Sequence, residues 1–261
     1  LRTNVDAAYR KTKLQATGDL QAMIDTLAEL PLEFSPGDQW NYSVSTDVCG
    51  YLVEHFSGMK LDKYFQKNIF DPLGMEDTGF SCAKDKVDRL ASLYEHHPKK
   101  GPVLVDSGGA KTARVKKRKM LSGGGGLLST MSDYYRFCSM LLNQGELNGT
   151  RIIGRKTLAM MASNHLPDHK DLTEMSQSAF SETTYQGVGF GLGFSVILDP
   201  VKTQSLTDIG EYGWGGAAST VFWVNPKEEM VVIFLTQLLP SSTYQVRREL
   251  RSLVYSSLMP E

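Results

Sequence analysis

The sequence predicts an α+β fold, an antiparallel sheet flanked by helices with a helical subdomain, on three observations. Apolar residues recur at helical spacing through the first two-thirds of the chain, and β-branched and aromatic runs bounded by turn residues dominate the last third. The two patterns do not alternate as βαβ units would. With 261 residues, 41% of them apolar, the chain suffices for one large globular domain or two small ones.

Asp19 is placed to cap a first helix carrying Leu20, Met23, Ile24, Leu27 and Leu30, which Pro31 ends. Pro36-Gly37 marks a tight turn delivering the chain to Tyr42-Ser43-Val44. From Thr46 to Phe56 the positions of Val48, Leu52, Val53 and Phe56 predict a second helix, closed by Ser57-Gly58, so Tyr42 sits at a loop-to-helix junction. Leu61 to Phe70 is a further short helix, broken by Asp71-Pro72-Leu73-Gly74. Periodicity then fades from Cys82 to Lys119, a loop expected to shape the pocket entrance, as is the segment from Leu166 to Gly187. The basic run Arg114 to Lys119 reads as a solvated surface loop.

Ser122 precedes four glycines, Gly123 to Gly126, without the spacing of a phosphate-binding loop, so they read as a permissive turn. Thr130 or Ser132 caps a helix to Asn143 with Tyr134, Phe137, Cys138, Leu141 and Leu142 inward, and Arg155 to Ser163 is another. Gly189 to Leu198, Ala218 to Val224 and Met230 to Thr236 read as strands, the last two joined as a hairpin through Asn225-Pro226-Lys227-Glu228. Thr243 to Leu258 is the closing helix, with Val246, Leu250, Leu253, Val254 and Leu258 toward the sheet.

Several function classes lack support. A net charge of -1 offers no field for nucleic acid, and no apolar run approaches a membrane span, so a soluble chain is expected, with the cytoplasm a compatible compartment. Cys49, Cys82 and Cys138 form no metal or disulfide pattern and read as buried small hydrophobes. His55, His96, His97, His165 and His169 lie in polar contexts without an HExxH, so no metal or cofactor is expected. No GxSxG is present. Asn41 and Asp47, flanking Tyr42, read as turn formers or caps. The remaining chemistry-bearing segments are Tyr42-Ser43-Val44 and Gly213-Trp214-Gly215-Gly216-Ala217. On its residues alone, Tyr42 could equally be a core tyrosine with a satisfied hydroxyl.

Phe34-Ser35-Pro36-Gly37, Trp40-Asn41-Tyr42-Ser43-Val44, Phe70-Asp71-Pro72-Leu73-Gly74-Met75, Ser122 to Thr130, Gly189 to Phe194 and Trp214-Gly215-Gly216 follow one another in this order. Together they resemble the serine β-lactamase/penicillin-binding-protein superfamily, in its class C-like (family VIII) carboxylesterase branch. The resemblance implies a β-lactamase/transpeptidase-like fold and hydrolysis of small esters through an acyl-enzyme. Tyr42 matches the family's proton-shuttling Tyr, which needs nearby cations to favour its phenolate, since the free phenol titrates near about 10. Trp214, Gly215 and Gly216 match W-G-G where β-lactamases carry K-T-G. Trp214 thereby removes the cation that would pair with a β-lactam carboxylate and leaves an aromatic wall for a neutral ester. The two glycines would let substrate approach the strand, and the Ala217 N–H matches an oxyanion donor.

The family's nucleophile, the Ser of S-x-x-K, precedes its Tyr. Here Ser57-Gly58-Met59-Lys60 and Ser81-Cys82-Ala83-Lys84 both follow Tyr42. The expectation is that residues 1–261 are the C-terminal two-thirds of a β-lactamase-like domain, with the nucleophile upstream. On this reading roughly residues 1–187 are mostly helical, and 188–261 hold the sheet strands and closing helix. A β-lactamase, peptidase or acyltransferase of the same superfamily, and a non-catalytic scaffold lacking the nucleophile, are the alternatives.

Overall fold

A computed structural model describes residues 3–14, 18–109, 112, 115, 119–176 and 185–258. Helix α1 (Asn4–Thr12), capped by the Thr3 hydroxyl, has no counterpart among the expected elements. Helix α2 (Leu20–Ala28) begins as expected at Asp19, whose carboxylate accepts from the Ala22 amide. Helix α3 (Ser45–Ser57) starts immediately after the Tyr42 segment and ends on Gly58 at φ 67°, the left-handed conformation that favours glycine. Leu20 and Met23 of α2 form a small core with Leu61, which follows α3, and Leu121, which precedes the four-glycine loop.

Helix α4 (Leu61–Phe65) runs through a π-turn (Gln66–Phe70) into α5 (Asp71–Leu73), which Gly74 ends at φ 66°. Within the stretch read as a loop, a 3-10 turn (Lys84–Arg89) precedes an antiparallel hairpin, β1 (Leu93–His97) and β2 (Gly101–Asp106). The sequence hides this hairpin because neither strand has a buried face to impose alternation; Val103, Leu104 and Val105 are all exposed. Most of the basic run Arg114 to Lys119 lies outside the described residues.

Helix α6 (Met131–Leu142), capped by Thr130, is the central helix of the main core. After it come the short pair β3 (Glu146–Leu147) and β4 (Thr150–Arg151), α7 (Arg155–Met161) and α8 (Leu172–Met175). Then follow β5 (Val188–Phe190), β6 (Ser195–Ile197), α9 (Pro200–Thr203), β7 (Tyr212–Gly215), β8 (Val221–Asn225), β9 (Met230–Phe234), β10 (Leu238–Leu239) and α10 (Val246–Ser256). The five strands β5 to β9 form one antiparallel sheet in sequence order. Strand β10 instead runs parallel to β1 and ties the outer hairpin to the end of the sheet.

Two strand expectations need correction. Gly189 to Leu198 is a hairpin, not one strand, because the chain reverses at Gly191–Phe194, where the Gly191 amide donates to Phe194 O at 2.8 Å and Gly193 takes φ 99°. Strand β7 is implied only by the resemblance that sets W-G-G on a strand and not by its own residues, since two glycines in four residues carry little β-propensity and tertiary pairing on both sides overrides it.

Side chains along β7 alternate between two faces. Tyr212 points toward α6, where its hydroxyl donates to Leu141 O, and packs with Cys138, Leu141, Phe194, Phe222 and Val224. Glu211, only 1% exposed, points the other way and receives the Arg251 guanidinium and the Tyr255 hydroxyl of α10. Arg251 also lies 4.4 Å over the Trp223 ring. Of the cysteines only Cys138 is buried, and burial pushes its thiol up to about 12; Cys49 is exposed and Cys82 half-buried. The exposure of Cys49 arises because α3 buries only Asp47 and Gly50 completely.

Candidate active site

The Tyr42 segment is held by backbone geometry. Ser35 to Asp38 forms a turn in which the Asp38 amide donates to Ser35 O at 3.1 Å, Gly37 supplies φ 95° and Pro36 precedes it, the arrangement of a type II turn. The chain then runs extended. The Trp40 amide donates to Met175 O at 3.0 Å, and Trp40 bridges Ser176, so the segment is moored to the end of α8. The Ser43 hydroxyl accepts from the Ser45 amide at 3.2 Å and opens α3.

Tyr42 is 55% exposed, which discards the core-tyrosine reading. Its ring lies stacked on Trp214, with centroids 6.3 Å apart and an interplanar angle of 17°. Trp214 is in turn met edge-on by Trp40 at 6.3 Å and by Phe190 at 5.3 Å, and Trp40 meets Phe190 at 5.2 Å. Three chain segments distant in sequence thus converge in one aromatic cluster, each ring pair adding about 0.5–1.5 kcal/mol beyond its burial. Nothing local distinguishes Trp40 and Phe190 from core aromatics, and their positions in W-N-Y-S and G-F-G are their only sequence signal.

Beyond Trp214, β7 runs through Gly215 into a tight turn. The Gly216 amide donates to Thr220 O at 2.8 Å and the Ser219 amide to Gly216 O at 3.1 Å, leaving Ala217 exposed at the tip. The Ala217 amide donates to no carbonyl among the described residues. The glycines answer to internal contacts: a methyl group on Gly215 would sit 2.6 Å from Cζ of Arg247, and one on Gly216 would sit 2.2 Å from the Thr220 hydroxyl. This is a different demand from the substrate approach expected of them.

The four-glycine loop is also explained by packing. A side chain on Gly123 would fall 2.1 Å from Thr46 O, and one on Gly124 2.5 Å from the Thr46 hydroxyl. Only Gly126 needs a left-handed backbone, at φ 86°. Asp47, 7% exposed, accepts from the Ser122 hydroxyl and fastens this loop to the first turn of α3. Asp47 is thus a long-range anchor and not the cap or turn former expected of it, because its carboxylate takes the Ser122 hydroxyl while α3 has no side-chain cap.

Neither S-x-x-K string makes a Ser/Lys dyad with Tyr42. The Ser57 hydroxyl donates to Val53 O at 2.6 Å at the end of α3, and the Lys60 ammonium is paired with Glu54 at 2.9 Å and Asp19 at 3.5 Å. Glu54 holds the Lys60 ammonium above the usual range for lysine, so it is no ready base. Lys84 is the first residue of the 3-10 turn. Among the described residues no group of three or more His, Cys, Asp or Glu side chains could hold a metal ion, and no helix is long and apolar enough to cross a membrane. A cavity of about 220 Å³ lies on the other face of the sheet, toward α10, with Glu211, Trp223, Arg247 and Arg251 in its wall. Those polar groups hold α10 to the sheet, so the aromatic cluster is the stronger candidate for chemistry.

A mixed fold with a five-stranded antiparallel sheet brings a Tyr at a loop-to-helix junction against the strand of a W-G-G turn, the arrangement that the resemblance to β-lactamase-like proteins implies. The chain belongs to the Beta-lactamase family, whose model matches residues 3–256. It is similar to Protein Rv1367c of Mycobacterium tuberculosis, with 31% identity over 246 residues, covering 90% of this chain and 57% of that protein. It is also similar to Esterase EstB of Burkholderia gladioli, with 29% identity over 234 residues, 84% of this chain and 54% of that protein. Among solved structures, that of EstCE1, a hydrolase with promiscuous acyltransferase activity, superposes with a TM-score of 0.76 at 25% identity, covering 91% of this chain and 61% of that one. The chain thus spans just over half the length of these curated relatives.

Proposed function

We propose that the polypeptide carrying this sequence is a serine carboxylesterase that cleaves small, neutral esters through an acyl-enzyme. The observation that carries this reading is the Tyr42 ring laid on Trp214, on the strand that leads into the Ala217 turn. In the proposed cycle a serine hydroxyl attacks the ester carbonyl while the Tyr42 phenolate takes its proton, and the Ala217 N–H donates to the developing oxyanion. Tyr42 then gives that proton to the departing alkoxide, and water resolves the acyl-enzyme by the same relay. Trp214, with Gly215 and Gly216, forms the wall beside the substrate. Because Ser57 and Lys60 are engaged elsewhere, the nucleophile and the cation favouring the Tyr42 phenolate are assigned to a part of the β-lactamase-like domain outside residues 1–261, which on this reading are its C-terminal two-thirds.

The test is a fluorophosphonate probe on the native protein, followed by intact mass and peptide mapping. One adduct, on a serine outside residues 1–261, is the expected result. No adduct overturns the reading in favour of a non-catalytic scaffold, and an adduct on Ser57 or Ser81 overturns the placement of the nucleophile. Esterase turnover with an added alcohol separates hydrolysis from acyl transfer by its products, and nitrocefin turnover equal to ester turnover would reverse the preference for esters over β-lactams.

A further inference from the structure

We infer that Arg247, in the first turn of α10, is a positioning residue for the turn that presents the Ala217 amide. The inference rests on the reading of Ala217 as oxyanion donor. Its Nη2 donates to Gly216 O at 2.7 Å and to Thr220 O at 3.0 Å, the two carbonyls at the stems of that turn. Those carbonyls also close the turn from within, accepting from the Ser219 and Gly216 amides. Hydrogen bonds from a guanidinium are roughly twice as strong as neutral ones, and one nitrogen reaching both stems fixes their separation.

The approach uses the bare backbone at position 215: a methyl there would lie 2.6 Å from Cζ and 2.7 and 2.8 Å from the two terminal nitrogens of Arg247, so the guanidinium would have to move off the turn. On its other side the turn is tied to β10, where the Ser219 hydroxyl donates to Leu238 O at 2.7 Å and the Leu238 amide to Ala218 O at 3.2 Å. Helix α10 is itself fixed to the sheet through Glu211, which holds Arg251 and Tyr255, and through Asn225, whose amide donates to the Tyr255 hydroxyl at 2.7 Å. Arg247 therefore carries the placement of the closing helix into the placement of the Ala217 N–H. The first glycine of W-G-G, besides its place in the wall beside the substrate, also makes room for the guanidinium behind the strand. An oxyanion donor acts by being preorganised, and a displacement of about 1 Å costs on the order of 10²-fold in rate.

The experiment measures kcat and KM of the native protein toward p-nitrophenyl butyrate, thermal melting, and hydrogen exchange of the peptide spanning 214–222. Arg247→Met should lower kcat about 10²-fold, leave KM within about threefold and speed exchange only in that peptide. Arg247→Lys, whose ammonium can still donate to two carbonyls, should recover most of the rate. Gly215→Ala should reproduce the loss in the parent and add none in the Arg247→Met background, because both changes remove one contact. An Arg247→Met protein that melts normally at wild-type kcat overturns the inference, and so do Gly215→Ala and Arg247→Met losses that multiply. Should Arg247→Met fail to fold, Arg247→Lys and Gly215→Ala carry the same decision. A parallel Tyr42→Phe variant separates the two readings: inactive Tyr42→Phe with fully active Arg247→Met sinks only the role of Arg247, whereas fully active Tyr42→Phe sinks the site itself.

Discussion

The phenol ring of Tyr42 lies nearly parallel to the indole of Trp214, at an interplanar angle of 17°, although 172 positions separate them in the chain. The stack leaves Tyr42 half in solvent while fixing its ring plane, which suits a proton carrier more than a packing residue. Replacing Tyr42 by Phe keeps the stack and removes only the hydroxyl. Stability should change by less than about 0.5 kcal/mol, whereas ester turnover should fall about 10²–10⁴-fold. Thermal melting and initial rates on one preparation check both halves.

Trp40 secures the same site from behind. Trp40→Ala removes the edge contacts to Phe190 and Trp214, each worth about 0.5–1.5 kcal/mol, while the backbone bond to Met175 O stays. A loss of about 1–3 kcal/mol is expected, together with lower turnover, and Trp40→Phe should restore most of both. Chemical denaturation paired with kinetics on the two variants decides it.

Glu211 is a buried carboxylate whose partners, Arg251 and Tyr255, both come from α10. Arg251 is itself 18% exposed at its side chain, so removing the carboxylate leaves a mostly buried cation unpaired. Glu211→Leu should cost about 3–5 kcal/mol, and adding Arg251→Met should return a large part of it, because an apolar pair avoids the desolvation of the charges. Urea titration of the single and double variants measures the coupling.

Asp77 receives the Lys86 ammonium and the Arg89 guanidinium, which hold its carboxyl below the usual carboxylate range. A carboxyl depressed in the folded state contributes stability that is complete above its unfolded value, near about 3.9, and lost as pH falls through the lower folded value. The melting temperature should therefore drop below about pH 4, and Asp77→Asn, already less stable at neutral pH, should show a shallower drop. Melting curves between neutral and strongly acidic pH provide the comparison.

Thiol chemistry should sort the cysteines by burial. Cys49 is exposed and should react with an alkylating reagent in the folded protein. Cys138, its thiol pushed up to about 12 by burial against α6 and the sheet, should react only after unfolding. Mass spectrometry of timed alkylation in native and denatured protein shows the order.

Much of the fold was legible because local signals and tertiary outcome agree. Asp19, Thr130, Gly58 and Gly74 cap or end helices where their residue types say they should, and the β8–β9 hairpin forms across Asn225 to Glu228. The β1–β2 hairpin and β7 were not legible. Their strand character comes from pairing, β1 between β2 and the distant Leu238 and β7 between its sequence neighbours β6 and β8, and not from a buried alternating face. Cys49 misled for the mirror-image reason, since composition favours a buried cysteine and only the orientation of α3 exposes this one.

The sequence by itself determined the helix ends, the Pro36-Gly37 turn that launches Tyr42, the order of the blocks shared with the Beta-lactamase family and the chemistry available at Tyr42 and Trp214. Only the tertiary structure decided that these two rings touch, that Trp40 and Phe190 complete their cluster, and that Gly215 makes room for Arg247 behind the strand. Caps and turns are set by residues within four positions of one another, whereas ring contacts and the clearance for a guanidinium depend on how α10, the sheet and the Tyr42 segment are brought together, which no local pattern encodes.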